Sequence, residues 1–226
     1  MDTPSTTPIP DPEAAGAEHA RSPAASASPV LAGRVGPDDD GHYGADQPAA
    51  DPNLGRDLLH GALAGVAGTF VLDRIDWFFY DREPVTSRLR THWVRPGGED
   101  PAHALATRLE RRAGVGLPAG QHEFAGDFVH YLAGVLPAAV YGAASRRAPA
   151  VGAGRGLLYG FVGFVADLVG SPAAGLAARP QAYPWRVHAR SLVAHLAYGL
   201  VTDAVLRALE RRERQAQDER ARRAER

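Results

Sequence analysis

The sequence predicts an all-α integral membrane protein whose core is a bundle of four membrane-spanning helices. Three observations support this prediction: four long apolar segments, small or polar residues along one face of three of them, and polar sequence concentrated outside them. A helix needs roughly 20 residues to cross a hydrocarbon core, and each segment supplies about that many. The predicted spans cover residues 58–80, 124–145, 156–178 and 188–209.

Polar sequence flanks and separates these spans. Residues 1–54 are rich in Pro, Ala, Ser, Asp and Gly, so they cannot bury enough apolar surface to offset their ordering entropy and are predicted to be disordered. Residues 210–226 form a charged C-terminal tail. In the first loop, Asp100 followed by Pro101 predicts the start of a short amphipathic helix, and Gly114 predicts its end.

The composition excludes several classes of protein. With 25 basic and 26 acidic residues, the formal net charge of -1 argues against a nucleic-acid-binding protein, which usually carries a basic surplus. The absence of Cys excludes disulfides, thiolate metal sites and cysteine nucleophiles. The mean hydropathy of -0.24 is low for a membrane protein because the polar ends lower the average. Since no dinucleotide, P-loop or zinc motif occurs, neither an enzyme nor a bound cofactor is predicted.

Small residues lie at helical spacing on one side of two spans. Gly61 and Gly65 lie in the first, and Gly156, Gly160 and Gly163 in the third. Small residues on one face let membrane helices pack closely, and they also allow a homo-oligomer or contact with another membrane protein. The alternative is a soluble bundle, but the segments lack the charged outer face of such helices. In the fourth span, the predicted polar stripe is His188, Ser191, His195, Tyr198 and Thr202.

An even number of spans places both termini on one side of the membrane. The C-terminal tail is dense in Arg, and Arg146, Arg147 and Arg155 lie in the loop on that same side. By the positive-inside rule, both termini are predicted to be cytoplasmic. Seven Arg in the first loop, from Arg82 to Arg112, count against this orientation.

Five ionisable residues interrupt the spans and are predicted to face the interior of the outer half of the bundle: Asp73, Asp76, His130, Asp167 and His195. A charge near the centre of a bilayer costs at least about 2.5 kcal/mol, so such a residue is usually paired, cavity-facing or functional. Because His titrates near neutral pH and close carboxylates raise each other's pKa, these groups are candidates for relaying protons or binding a cation. The structural alternative is that Arg74 neutralises one Asp and the histidines are packing residues.

A pattern of residues in the last three spans resembles a known family. The pattern consists of an early histidine in the second span, a Gly-rich start and a bend in the third, and an aromatic entry to the fourth: His130, Ser171-Pro172 with Gly175, Tyr183-Pro184-Trp185, Ser191, His195-Leu196 and Tyr198. It is similar to that of the YagU-like family of small bacterial inner-membrane proteins, a domain of unknown function. The resemblance implies an inner-membrane location, and the family's association with acid tolerance fits a His and Asp cluster. The segment Asp73–Trp77 and the long N-terminal tail depart from the family's pattern.

The predicted function is that of a non-enzymatic inner-membrane protein linked to acid or envelope stress, with proton or cation handling by the five ionisable residues. Four spans are few for a self-contained transporter, so this role is expected to need an oligomer or a partner. Two other functions stay open. One is a membrane scaffold or assembly subunit that binds a protein partner, and the other is a membrane subunit that ligates a metal or haem through His130 and His195.

Overall fold

The computed structural model describes residues 53–226. Within this range the chain forms helices and no β-strands, which confirms the predicted all-α class. Nearly all of the tail predicted to be disordered, residues 1–54, lies outside the described residues. The α-helices are α1 (Leu54–Tyr80), α2 (Val85–Val94), α3 (Pro101–Ala113), α4 (Ala119–Arg147), α5 (Leu157–Ala173) and α6 (Trp185–Ala224), with short 3-10 helices at Pro96–Gly98, Pro149–Gly156 and Pro180–Ala182.

Four of these helices are long and apolar enough to cross a membrane: α1, α4, α5 together with the turn before it, and α6. They overlap the four predicted segments, although most of the ends differ by up to five residues and the last end differs by fifteen. The third helix stops at Ala173 because Gly175 adopts φ 68° and Leu176 N–H donates to Ser171 O at 2.8 Å, a glycine-terminated helix end. The fourth continues to Ala224, about four turns past the predicted end at residue 209.

The four long helices form an antiparallel bundle in which α1 and α6 are central. α4 packs against α1, α1 against α6, and α5 against α6. Asp57 at the start of α1 meets Arg146 at the end of α4, whereas Asp73 further along α1 meets His130 near the start of α4. We call the end where α1 finishes and α4 begins the α3 end. The opposite end, from which α6 extends, is the tail end.

Glycines make the closest contacts between the helices. A Cβ atom on Gly61 would overlap Ala138 O of α4, and one on Gly65 would lie 2.5 Å from Ala138 Cβ. In the second contact, Gly156, which directly precedes α5, and Gly160 of α5 lie directly against the backbone of α6, and a Cβ on Gly163 would be in ordinary contact with His195. These close approaches are the packing geometry that small residues allow between membrane helices.

The buried face of α6 differs from the predicted stripe. The buried residues recur every four positions, and His188, Ser191 and His195 are not among them. The residues of this face are Arg190, Ala194, Tyr198, Thr202 and Leu206. The sequence analysis did not predict this face because its first member is an arginine. That arginine lies in an Arg-rich segment of the kind expected at the membrane surface. Tyr198 and Thr202 belong to both stripes.

Large apolar side chains lie mostly on the outside of the bundle. Leu63, Phe70, Phe128, Phe161 and Val169 are all about half exposed or more. The buried residues are mainly Ala, Gly, Thr and charged groups. A soluble bundle buries its large apolar residues, so this distribution is the one expected for helices surrounded by lipid.

The first loop holds two short helices. α2 was not predicted, whereas α3 is present as predicted between its N-cap Asp100 and Gly114, which adopts φ 68°. Asp100 Oδ1 accepts from Ala102 N and His103 N, at 3.0 and 3.1 Å. α3 packs along the start of α4 and also holds the end of α5, since Arg108 donates to Ala174 O and to the carbonyl of the following glycine.

Candidate functional site

Asp73 and His130 form the central pair of the candidate site. His130 Nε2 lies 2.8 Å from Asp73 Oδ1, joining α4 to α1 near the α3 end. The His130 side chain is 39% exposed and that of Asp73 19% exposed, so the pair lies at the edge of the packed interior. An imidazole and a carboxylate in this contact can share and exchange a proton.

The groups around this pair are nearly all acidic. Asp100 at the start of α3 and Asp127, one turn earlier on α4, both act electrostatically on His130. Tyr131 is within electrostatic reach of Asp73, and Arg74 is the basic group near it. Arg74 stacks over the Phe70 ring at 5.1 Å. The pair therefore lies in a mainly negative surrounding.

A second set of histidine–carboxylate pairs lies where α3 crosses the start of α4. His103 Nδ1 is 2.8 Å from Asp100 Oδ2, and His122 Nδ1 is 2.8 Å from Glu110 Oε1. The other ring nitrogens face Glu123 and Glu99, each at 3.5 Å. The two imidazole rings are 6.0 Å apart. The sequence analysis did not include these pairs because their members lie outside the apolar segments.

Asp100 links the two sets of histidines. Burial acts to raise the pKa of its carboxyl, but the backbone hydrogen bond from His103 and the positive charge of that ring outweigh burial and hold the pKa below its ordinary value. The carboxylate therefore stays charged down to acidic pH. It caps α3 on one side and faces His130 on the other.

His122 and His130 are eight residues apart on α4 with Gly126 between them, at a spacing that keeps all three on one helix face. His103 fills the space at Gly126, since a Cβ atom there would overlap the imidazole ring. The small residue thus lets α3 sit directly on α4, one turn from the Asp73–His130 pair.

Asp76 belongs to a separate, more buried ion-pair network. Arg190 Nε donates to Asp76 Oδ1 at 2.7 Å and Arg190 Nη1 donates to Glu83 Oε1 at 2.7 Å. Arg190 is 6% exposed, and its guanidinium also lies 5.2 Å from the centre of the Tyr80 ring. The sequence analysis offered Arg74 as the cation for this region, but the partner of Asp76 is Arg190. Arginine stays charged at all physiological pH values, so this network is a structural tie.

Asp167 and His195 lie away from the pair. Asp167 is exposed on α5 and accepts a hydrogen bond from Ser171 at 2.7 Å. His195 Nδ1 lies 2.9 Å from Ser191 O on its own helix, and its ring meets that of Phe164. The expectation of one shared interior face assumed that α5 packs along its whole length. Beyond Gly163 it does not, because a Cβ atom on Gly170 would meet nothing within 4 Å.

The described residues 53–226 contain no group of three or more His, Asp or Glu side chains arranged to hold a metal ion. His130 and His195, the histidines considered as metal or haem ligands, bond to Asp73 and to Ser191 respectively. A metal or haem role for these two histidines stays a prediction.

The tail end carries a second charged cluster, which the sequence analysis did not identify. Asp57 Oδ1 lies 3.2 Å from Arg146 Nη1, and its Oδ2 lies 3.3 Å from Arg147 Nη1. Arg146 also bonds to Glu210 at 3.1 Å and to Glu213 at 3.3 Å on α6. These residues sit in segments that looked like solvated flanks. The sequence did contain a clue to this cluster. Acidic residues at the start of α1 and late in α6 lie at the same end of the bundle as the two arginines that end α4.

Comparisons with known proteins identify no relative. No protein-family model matches the chain, and neither the search of curated proteins nor that of solved structures found a match.

Proposed function

We propose that this chain is a non-enzymatic, multi-pass protein of the bacterial inner membrane that takes up protons at the Asp73–His130 pair in response to external acid. The observation that carries the proposal is the 2.8 Å contact between these two side chains, partly exposed beneath α3. The resemblance to the YagU-like family, with its association with acid tolerance, supports the same role.

The membrane location rests on the surface of the bundle. Four helices have the required length and hydropathy, and their large apolar residues point outward. At the α3 end, Trp77, Trp93 and Trp185 are 59%, 80% and 70% exposed, as expected for aromatic residues at a membrane–water interface. Arginines are dense at the tail end, which supports a cytoplasmic tail end and an external α3 end.

The chemistry follows from charge balance. With a neutral imidazole, Asp73 leaves a net negative charge at the edge of a low-dielectric region, and this is unfavourable. When a proton binds to His130, the pair becomes an imidazolium beside a carboxylate, with no net charge. The pairs at His103 and His122 lie between His130 and the external water. Each of these rings faces two carboxylates, so a positive charge on the ring strengthens the contact between α3 and α4. External acid therefore acts both on the Asp73–His130 pair and on the histidine–carboxylate pairs between α3 and α4.

We test proton uptake by following the histidine ring signals in NMR spectra of the full chain in lipid nanodiscs. The signal that disappears in His130→Gln is expected to shift as the pH is lowered, because the ring gains its charge when it binds a proton. In Asp73→Asn a smaller fraction of His130 should be protonated at any given pH. Asp167→Asn is the matched control, because Asp167 contacts Ser171 and lies away from the pair. A His130 signal that does not titrate in the intact protein would contradict the proposal.

The long α6 supports a second candidate function, a scaffold that binds a protein partner. About four turns of mixed charge extend beyond the apolar part of this helix, and most of their side chains are exposed. Shortening the chain after Arg214 keeps Glu210 and Glu213, which bond to Arg146. If the protein is only a scaffold, this deletion abolishes its cellular role whereas replacing Asp73 or His130 leaves that role intact.

A further inference from the structure

Polar groups continue from the Asp73–His130 pair into the middle of the bundle. Thr69 lies one helical turn below Asp73 on α1, and Gly134 lies one turn below His130 on α4. A Cβ atom on Gly134 would overlap Thr69 Oγ1, so this hydroxyl sits directly on the α4 backbone. Thr69 is 2% exposed, and within residues 53–226 its hydroxyl has no hydrogen-bond partner.

Tyr198 of α6 extends this series of polar groups from α4 to α5. Its hydroxyl donates to Gly134 O at 2.7 Å and lies 2.6 Å from the hydroxyl of Tyr159 on α5. Since the Tyr198 proton is directed to the carbonyl, Tyr159 is the donor between the two phenols. Thr202, one turn below Tyr198, is 0% exposed, and its hydroxyl lies within hydrogen-bonding reach of Tyr198.

Tyr159 leads in turn to Tyr141 and Asp203. The rings of Tyr159 and Tyr141 stack with centroids 4.3 Å apart and an interplanar angle of 18°. Tyr141 donates to Asp203 Oδ1 at 2.8 Å, and Arg207 Nε donates to Asp203 Oδ2 at 2.7 Å. Asp203 is buried, at 3% exposed, and joins the stacked tyrosines to the tail end.

Asp203 also lines a cavity of about 420 Å³ at the tail end. The cavity is lined by polar and charged groups, among them Ser145, Arg146, Arg207 and Glu210. A polar cavity of this size has room for water. A proton held on Asp203 would therefore have water to leave into.

This arrangement is costly if its only role is to hold the helices together. A buried hydroxyl without a partner destabilises a fold, and buried polar groups are usually hydrogen-bonded. Thr69 breaks this rule beside Gly134, whose carbonyl accepts a hydrogen bond from Tyr198. Ionisable and polar groups inside a membrane most often mark ion or proton pathways.

We propose that this column of side chains is a proton-transfer route across the bundle, from the Asp73–His130 pair to Asp203 and the tail-end cavity. The inference rests on the proposed function, because it takes its protons from that pair. The proposed function requires only that the pair binds protons. The further inference is that the protein also conducts protons passively towards the tail end.

The transfer balances as a relay. The imidazolium of His130 gives its proton towards the hydroxyl of Thr69, and each hydroxyl along the column accepts a proton on one side as it releases its own on the other. Before the transfer, the Tyr198 hydroxyl turns from Gly134 O towards Tyr159, and the Tyr159 hydroxyl turns from Tyr198 towards Tyr141. Tyr141 passes its proton to the Asp203 carboxylate, which releases it to water in the cavity, and the Tyr141 hydroxyl then turns back to Asp203. One proton enters and one leaves, and every side chain returns to its starting state.

The experiment measures proton flux into liposomes that contain the full chain and an internal pH-sensitive dye. A potassium gradient with valinomycin makes the interior negative. The intact protein is expected to acidify the interior faster than empty liposomes do, and Tyr198→Phe, which removes one hydroxyl and keeps the ring, should reduce the rate to that of empty liposomes. Tyr183→Phe is the matched control and should conduct normally, because Tyr183 bonds to Ala178 N outside the column.

Thr69→Val keeps the test decisive if Tyr198→Phe fails to fold. Valine has the shape of threonine, and the hydroxyl that it removes has no partner to lose, so the variant should be as stable as the intact protein but should not conduct. Normal flux in a folded Thr69→Val or Tyr198→Phe protein would overturn the route.

The two proposals fail in different ways. If the intact protein conducts no protons while His130 still titrates, the column is only structural and proton binding by the pair stands. If His130 does not titrate either, both proposals fall.

Discussion

The two ends of the bundle hold their charges in different ways. At the α3 end, carboxylates pair with histidines, at Asp73–His130, Asp100–His103 and Glu110–His122. At the tail end, Asp57 and Asp203 pair with arginines. Imidazole gains or loses its charge near neutral pH, whereas guanidinium does not. The α3 end therefore carries cations that change charge near neutral pH, whereas the arginines of the tail end keep their charge.

The largest effect is expected at Arg190, the one place where the α3 end is built like the tail end. Arg190→Met leaves the buried carboxylate of Glu83 and the partly exposed carboxylate of Asp76 without their cation, and breaking a buried pair costs about 3–5 kcal/mol of unfolding free energy. Unfolding titrations in detergent measure the loss. Arg186→Met, which removes an exposed guanidinium stacked on Trp185, is the control and should change stability by about 0.5 kcal/mol or less. Equal losses in both variants would mean that Arg190 is not a structural tie.

A smaller loss is expected at the tail end for Asp57→Asn. The substitution keeps the side-chain shape but removes the charge that faces Arg146 and Arg147, at a cost of about 1–3 kcal/mol, because Arg146 retains its bonds to α6. The same unfolding titration at two pH values checks the comparison. The loss should be the same on either side of neutral pH, since no histidine takes part. Asp218→Asn, on the exposed part of α6, should be neutral.

The smallest effect is expected at Asp100, and it should depend on pH. Asp100→Ala removes the N-cap of α3 and costs about 1 kcal/mol, the usual value for a cap. The pKa of Asp100 is lowered in the folded protein, so its contribution is fully present above the ordinary aspartate value and is lost as pH falls through the folded value. The stability difference between the intact protein and the variant should therefore shrink in strong acid. A difference that stays constant down to the lowest pH at which both remain folded would contradict this origin.

The fold was predictable to a greater extent than the site. Length and hydropathy specify the four long helices, and the sequence Asp100-Pro101 with Gly114 specifies α3, because these are local signals. Asp73 and His130 were both among the predicted residues, since a charged or titratable group inside an apolar segment stands out.

The remaining site residues depend on how the helices meet, which a helix-by-helix analysis does not contain. Arg190 and Glu83 lie in polar flanks, and only the contact between α1 and α6 turns them into a buried network. The position of Asp167 depends on where α5 leaves α6, and the glycine stripe, which continues to Gly170, does not reveal that point. Sequence periodicity shows which residues share a face, but not how far along that face the neighbouring helix extends.

The unbroken α6 has a mechanical consequence. Its 40 residues correspond to a rod of about 60 Å, roughly twice the thickness of a bilayer's hydrocarbon core. In the proposed orientation, about half of the rod stands in the cytoplasm and is continuous with the half that carries Arg190 and Tyr198. If α6 tilts at the α3 end, its cytoplasmic end is therefore displaced sideways. The helix can in this way transmit a change at one membrane surface to the opposite side.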